Sequence, residues 1–94
     1  SNEKKFDIKI KTSKTKSIKE KNINNQISKY NLTLSAKVEF YNFKTLITDN
    51  YLFTEQGSYS VDNNNIDTRN NEKKVIDNLV EKLNEKIIKR LRTI

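Results

Sequence analysis

Between Tyr30 and Phe43 the chain reads Tyr-Asn-Leu-Thr-Leu-Ser-Ala-Lys-Val-Glu-Phe-Tyr-Asn-Phe, and no other stretch restricts the fold so tightly. Taken at every second position, Tyr30, Leu32, Leu34, Ala36, Val38 and Phe40 fall together. The alternate set is Asn31, Thr33, Ser35, Lys37, Glu39 and Tyr41. Successive side chains of a pleated backbone point to opposite sides, so this is the period of a strand with one dry face. A helix would spread the same apolar residues round its whole circumference. The pattern predicts a long central strand from near Ile27 to about Tyr41, whose dry face other elements must cover.

A shorter alternation precedes it. Phe6, Ile8, Ile10 and Thr12 alternate with Asp7, Lys9 and Lys11, which predicts a first strand with a dry face of its own. From Thr12 to Asn25 the large apolar residues are Ile18 and Ile23, in a setting of lysine, serine, threonine and asparagine. That segment reads either as a continuation of an edge strand guarded by lysines or as a mobile loop. After the central strand, Asn42-Phe43-Lys44-Thr45 reads as a turn, with the Asn42 side chain able to bond the backbone two residues on. A third strand follows in which Ile47, Tyr51, Phe53, Tyr59 and Val61 share one parity. Glu55 and Gly57 interrupt that face, the lone glycine marking a bulge or a close backbone approach. Thr48-Asp49-Asn50 competes as a turn, which leaves the register of 46–57 open.

Residues 62–71 read as a flexible polar loop, as do residues 1–5 at the start. From Glu72 the period changes to that of a helix running to Thr93, with Asn70 or Asn71 as its N-cap. Val75, Ile76, Leu79, Val80, Leu83, Ile87 and Leu91 form its apolar stripe, with Ile88 on the flank. The predicted fold is therefore α+β: an antiparallel three-stranded sheet in β-β-β-α order, with a C-terminal amphipathic helix packed on one face. Lys86, Lys89, Arg90 and Arg92 crowd the end of that helix, where exposed carbonyls favour cations without any binding role.

The dimensions of these elements do not match. A central strand of about 14 residues is roughly 45 Å long. One helix of about 33 Å, with a body only about 10 Å wide, is too narrow to cover a three-stranded sheet of that length. A preceding segment, a second copy of the chain or a partner protein is expected beside the helix.

Composition decides which functions are open. With neither cysteine nor histidine among the 94 residues, disulfides, thiolate metal sites, a cysteine nucleophile and the commonest general base are excluded. Asp and Glu are dispersed, so no catalytic residue, metal site or cofactor is expected. The hydrophobic and charged shares are 33% each and the mean hydropathy is −0.90, values that lean toward disorder, which the two clear periodicities oppose. The net charge of +7 points to a polyanionic partner. The joint excess of lysine, asparagine and isoleucine tempers that, because AT-rich coding produces it too. The chain has no apolar run long enough to span a membrane as a helix.

The order of motifs resembles a known family. Tyr30-x-Leu32-x-Leu34-x-Ala36 leads through a hairpin to Ser58-Tyr59-x-Val61. An asparagine-rich loop and a long amphipathic helix ending Ile88-Lys89-Arg90-Leu91 follow. This arrangement resembles the LptE family of LPS-assembly lipoproteins over about Phe6 to Ile94. That family begins with a lipidated cysteine, a first strand and a first helix, which this chain does not show. The resemblance implies one LptE-like domain over 1–94, forming the C-terminal portion of a longer protein, with the first helix as the second cover of the sheet. It implies a non-enzymatic protein on the periplasmic side of the outer membrane, anchored by a lipid. Such a protein plugs and helps assemble the β-barrel LptD and binds lipopolysaccharide in transit.

Lipid A phosphates are polyanionic, and lysines on a rigid sheet attract them as charges without a shaped pocket. Lys9, Lys11 and Lys37 project from the polar faces of the first two strands and are the candidate lipopolysaccharide contacts. Two rivals remain: a small basic nucleic-acid-binding module, and another periplasmic lipid-transport auxiliary lipoprotein. The first is disfavoured because Tyr30 and Phe40 lie on the dry face while the outward face shows Thr33, Ser35 and Glu39, so no nucleic acid is expected. A dimer of the chain is a further expectation from the uncovered sheet.

Overall fold

The computed structural model describes residues 6–93. Three strands, β1 (Phe6–Lys21), β2 (Ile27–Asn42) and β3 (Ile47–Ser60), are followed by one helix, α1 (Asn65–Leu91). The sheet is antiparallel throughout, in the order β1-β2-β3, so the strand with the strongest alternation is the central one. The predicted α+β architecture is the observed one.

Both hairpins are set by asparagine. In the first, Asn22 Oδ1 accepts from the backbone N–H of Asn24 (2.9 Å) and Gln26 (3.0 Å), and Asn25 takes the left-handed φ of 61°. Asparagine tolerates that conformation better than most residues. In the second, Asn42 Oδ1 accepts from Lys44 N–H at 2.8 Å and Thr45 N–H at 3.3 Å. These are the bonds the sequence led one to expect. Leu46 closes that turn at φ 60°, a conformation for which leucine is poorly suited.

The first strand runs much further than Thr12. It stays paired with β2 through Lys21, with register shifts between Ile18 and Lys21, so the lysine-rich segment is the edge continuation and not a loop. In β3 the competing turn at Thr48-Asp49-Asn50 does not form. These residues pair with Tyr41, Phe40 and Glu39, and the register to β2 is unbroken from Ile47 to Ser60. Gly57 is not at a bulge but under the helix. A Cβ there would lie 2.9 Å from Val75 Cγ1 and 3.3 Å from Leu79 Cδ2, so α1 sits against bare backbone.

The helix begins at Asn65, seven residues before the expected Glu72, and ends at Leu91, not Thr93. Its N-cap is Asn64, whose Oδ1 accepts from Ile66 N–H at 2.9 Å, and Asp67 sits in the positive first turn. Asn71, expected as a cap, is inside the helix and ties it to the end of β3, donating to Ser60 O (3.1 Å) and Asp62 Oδ2 (2.8 Å). The first two turns carry one large apolar residue, Ile66, itself 63% exposed. No amphipathic period marks them, because they overhang the core.

The core lies between α1 and the even-numbered face of β2. Leu32, Leu34, Tyr59, Leu79 and Leu83 form one cluster; Ala36, Val38 and Ile87 form a second. Burying each large apolar side chain contributes about 1.5–3 kcal/mol before chain entropy is subtracted. Glu55, which faces inward, is answered by Lys86 Nζ at 2.7 Å. The stripe of α1 is narrower than its sequence: Val80 and Ile88 remain exposed at 43% and 49%. The predicted mismatch of width is visible in the exposure of the β1 face, where Phe6, Ile8, Ile10 and Ile18 lie 37–51% open.

Candidate anion-binding face

The side of the sheet away from α1 is a polar lattice. In register across β1, β2 and β3 it presents the rows Lys9–Glu39–Asn50, Lys11–Lys37–Leu52 and Ser13–Ser35–Thr54. Thr15–Thr33–Gln56 and Ser17–Asn31–Ser58 continue it. The parity of β2 dictates this: with leucine, alanine and valine turned to the helix, the intervening Asn, Thr, Ser, Lys and Glu turn outward. Ser35 Oγ and Thr54 Oγ1 share a 3.3 Å hydrogen bond across the strands.

All three lysines singled out from sequence stand on this face, and all are exposed. Lys11 and Lys37 are brought directly opposite each other, and Lys9 stands one step along, opposite Glu39. Directly opposed like charges destabilise a strand pair, and an anion placed over them relieves the repulsion. The Lys9–Glu39 row is internally compensated. It borders a hollow of about 340 Å³ formed with Asp7, Tyr41, Phe43 and Thr48. The register thus separates Lys9, opposite a carboxylate, from Lys11 and Lys37, opposite each other.

Two further groupings escaped the sequence reading. On the helix side, Lys14 and Lys16 continue the parity of Ile8 and Ile10. Lys14 borders an apolar groove of about 390 Å³ between β1 and α1, whose walls include Ile10, Leu34, Ile76, Val80 and Ile87. Lys16 Nζ lies 4.3 Å from the centre of the Tyr30 ring and 3.9 Å from Glu72 Oε2. The Lys16 pKa is raised above its usual 10.5, chiefly by the Tyr59 side chain, with Glu72 and Tyr30 adding to it. Continuing the even-numbered parity of β1 past Thr12 was the signal for this cluster. At the other end, the basic residues closing α1 are drawn onto β3. Lys86 pairs with Glu55, and the Arg90 guanidinium stacks 4.6 Å from the centre of the Tyr51 ring.

Among the described residues no group of three or more His, Cys, Asp or Glu side chains is placed to hold a metal ion. None of their helices is long and apolar enough to cross a membrane. A three-stranded sheet backed by one helix, with a polar lysine-bearing outer face and an open apolar groove, defines a two-layer α+β domain. The family model for lipopolysaccharide-assembly proteins, LptE, matches residues 7–91, and the chain belongs to that family. LptE proteins are non-enzymatic lipoproteins of LPS transport and outer-membrane assembly, which places the chain in the cell envelope. No curated protein and no solved structure matches the chain significantly.

Proposed function

We propose that the protein acts on the periplasmic side of the outer membrane as a lipid-anchored, non-enzymatic partner of the β-barrel LptD, plugging the barrel and helping it assemble. In the same reading it binds lipopolysaccharide in transit through Lys11 and Lys37, with Lys9 assisting. The observation that carries the binding half is the face-to-face placement of Lys11 and Lys37 on a rigid, hydroxyl-lined sheet. Uncompensated charges held by backbone pairing attract lipid A phosphates without first having to be ordered. The family match over 7–91 supports the barrel half.

The test is binding of lipopolysaccharide micelles to the wild-type chain and to a Lys9→Ala, Lys11→Ala, Lys37→Ala triple variant. At about 1 kcal/mol for each lysine near an anionic surface, affinity falls about a hundredfold in the triple variant. The wild-type affinity itself drops as salt is raised. Lys11→Ala and Lys37→Ala weaken binding more than Lys9→Ala. Equal affinity of triple variant and wild type would remove the outer face from the mechanism.

A further inference from the structure

The two edges of the sheet are built differently. β1 carries Lys9, Lys11, Lys14, Lys16, Lys19 and Lys21 and breaks register between Ile18 and Lys21. Lysines and bulges are the usual defences of an edge against pairing with another chain. β3 has neither: over Ile47–Ser60 it contains no lysine or arginine, and its register is continuous. Among the described residues nothing pairs with its far side.

The hydrogen-bonding parity of that edge follows from one bond. Val61 N–H donates to Ser28 O, so odd-numbered residues of β3 turn their backbone groups toward β2 and even-numbered ones turn theirs outward. Lys86 Nζ agrees with this assignment, reaching over the edge to Thr54 O at 3.3 Å. From Thr48 to Ser58 the even-numbered N–H and C=O groups thus form an outward ladder, in which Thr54 O accepts from Lys86 Nζ. Beside it, on the helix side, Phe53, Lys86, Lys89, Arg90 and Thr93 line a hollow of about 280 Å³ with an apolar floor and a basic rim.

We infer that the free edge of β3 takes up an extended polypeptide segment as a fourth strand, and that this segment carries a carboxylate side chain opposite Phe53. The incoming backbone pairs with the even-numbered groups, displacing Lys86 Nζ from Thr54 O and leaving it on Glu55, while its inward side chain lies over Phe53 and meets Lys89 and Arg90. A second copy of this chain is the wrong occupant. Pairing β3 with another β3 would set two Lys86, Lys89 and Arg90 clusters side by side, and like charges in such a position oppose association. The inference is independent of Lys9, Lys11 and Lys37, which lie on the opposite face.

The experiment follows backbone amide hydrogen exchange by NMR in the ¹⁵N-labelled chain. The probe is a synthetic peptide alternating threonine and valine, with one glutamate at the centre of its valine face. On saturation, the amides of Asn50, Leu52, Thr54 and Gln56 slow by about tenfold or more, whereas the odd-numbered amides of β3 are slow throughout. Replacing the peptide glutamate with lysine lowers affinity by about tenfold or more. Thr54→Pro deletes an outward N–H without touching the ladder to β2, a position where an edge strand accepts proline. It abolishes peptide binding with the β2 pairing intact, and Leu52→Lys, which guards the edge in the manner of β1, does the same. Slowing on β1 instead of β3, undiminished binding by both variants, or concentration-dependent protection of the even-numbered amides without peptide would each overturn the inference.

Discussion

The inner face of the sheet divides into two halves that share a sequence pattern and differ in fate. Under α1, the even-numbered residues of β2 are 0–9% exposed from Leu32 to Val38. One strand away, Ile8 and Ile10 of β1 have the same alternation yet remain 43% and 51% exposed. Strand propensity and pairing are not what separates them, because β1 and β2 pair in continuous register from Phe6 to Ile18. A helix about 10 Å across covers about two strands spaced 4.7–4.9 Å apart, and α1 lies over β2 and β3. Alternation in a sequence therefore marks a face that can be buried; whether it is buried depends on what lies across it.

Four perturbations test this contrast. Leu79→Ala, at a site 1% exposed in the covered half, costs about 2–5 kcal/mol in urea unfolding, because the cavity cannot collapse between helix and sheet. Gly57→Val costs about 1–3 kcal/mol, since the added methyl groups must displace Val75 and Leu79 and so lift the helix. Thermal unfolding of this variant shows whether the close approach is as tight as the 2.9 Å contact indicates.

The third perturbation is pH. The hydrogen bond from Lys86 holds the Glu55 pKa below its usual 4.5. A carboxylate whose pKa is lower in the folded state stabilises the fold above the unfolded value of about 4.5, and that contribution is lost as pH falls through the folded value. Glu55→Gln makes stability less steep below pH 4.5, and if the curves of variant and wild type are parallel there, the pair does not tie α1 to β3. The smallest effect belongs to the open half. Ile10→Thr changes stability by no more than about 0.5 kcal/mol, as surface substitutions do. A loss as large as that of Leu79→Ala would mean that β1 is covered in solution.

How much of this was legible in the sequence follows the same physics. The central strand, the Asn42 turn and the stripe through Leu79, Leu83 and Ile87 were legible because each combines periodicity with burial or with a specific side-chain bond. The second half of β1 was not, because it is held by backbone pairing alone, and Lys14, Thr15 and Lys16 carry no apolar signal. The true start of α1 was hidden for the related reason that its first two turns touch little of the core. Thr48-Asp49-Asn50 has turn-forming residues, but the unbroken ladder to β2 overrides local preference. The outward parity of Lys9, Lys11 and Lys37 was readable. That Lys11 faces Lys37 while Lys9 faces Glu39 was not, since register depends on hairpins fixed by Asn22, Asn25 and Asn42.

The functional account rests on partnership with an outer-membrane barrel, and affinity capture tests this most directly. The protein is expressed with a tag in its own cells, solubilised in mild detergent and recovered, and the bound proteins are identified by mass spectrometry. The account predicts co-recovery of LptD that survives a high-salt wash. Recovery of nucleic acid and ribosomal proteins that salt strips away, with no barrel present, would contradict it.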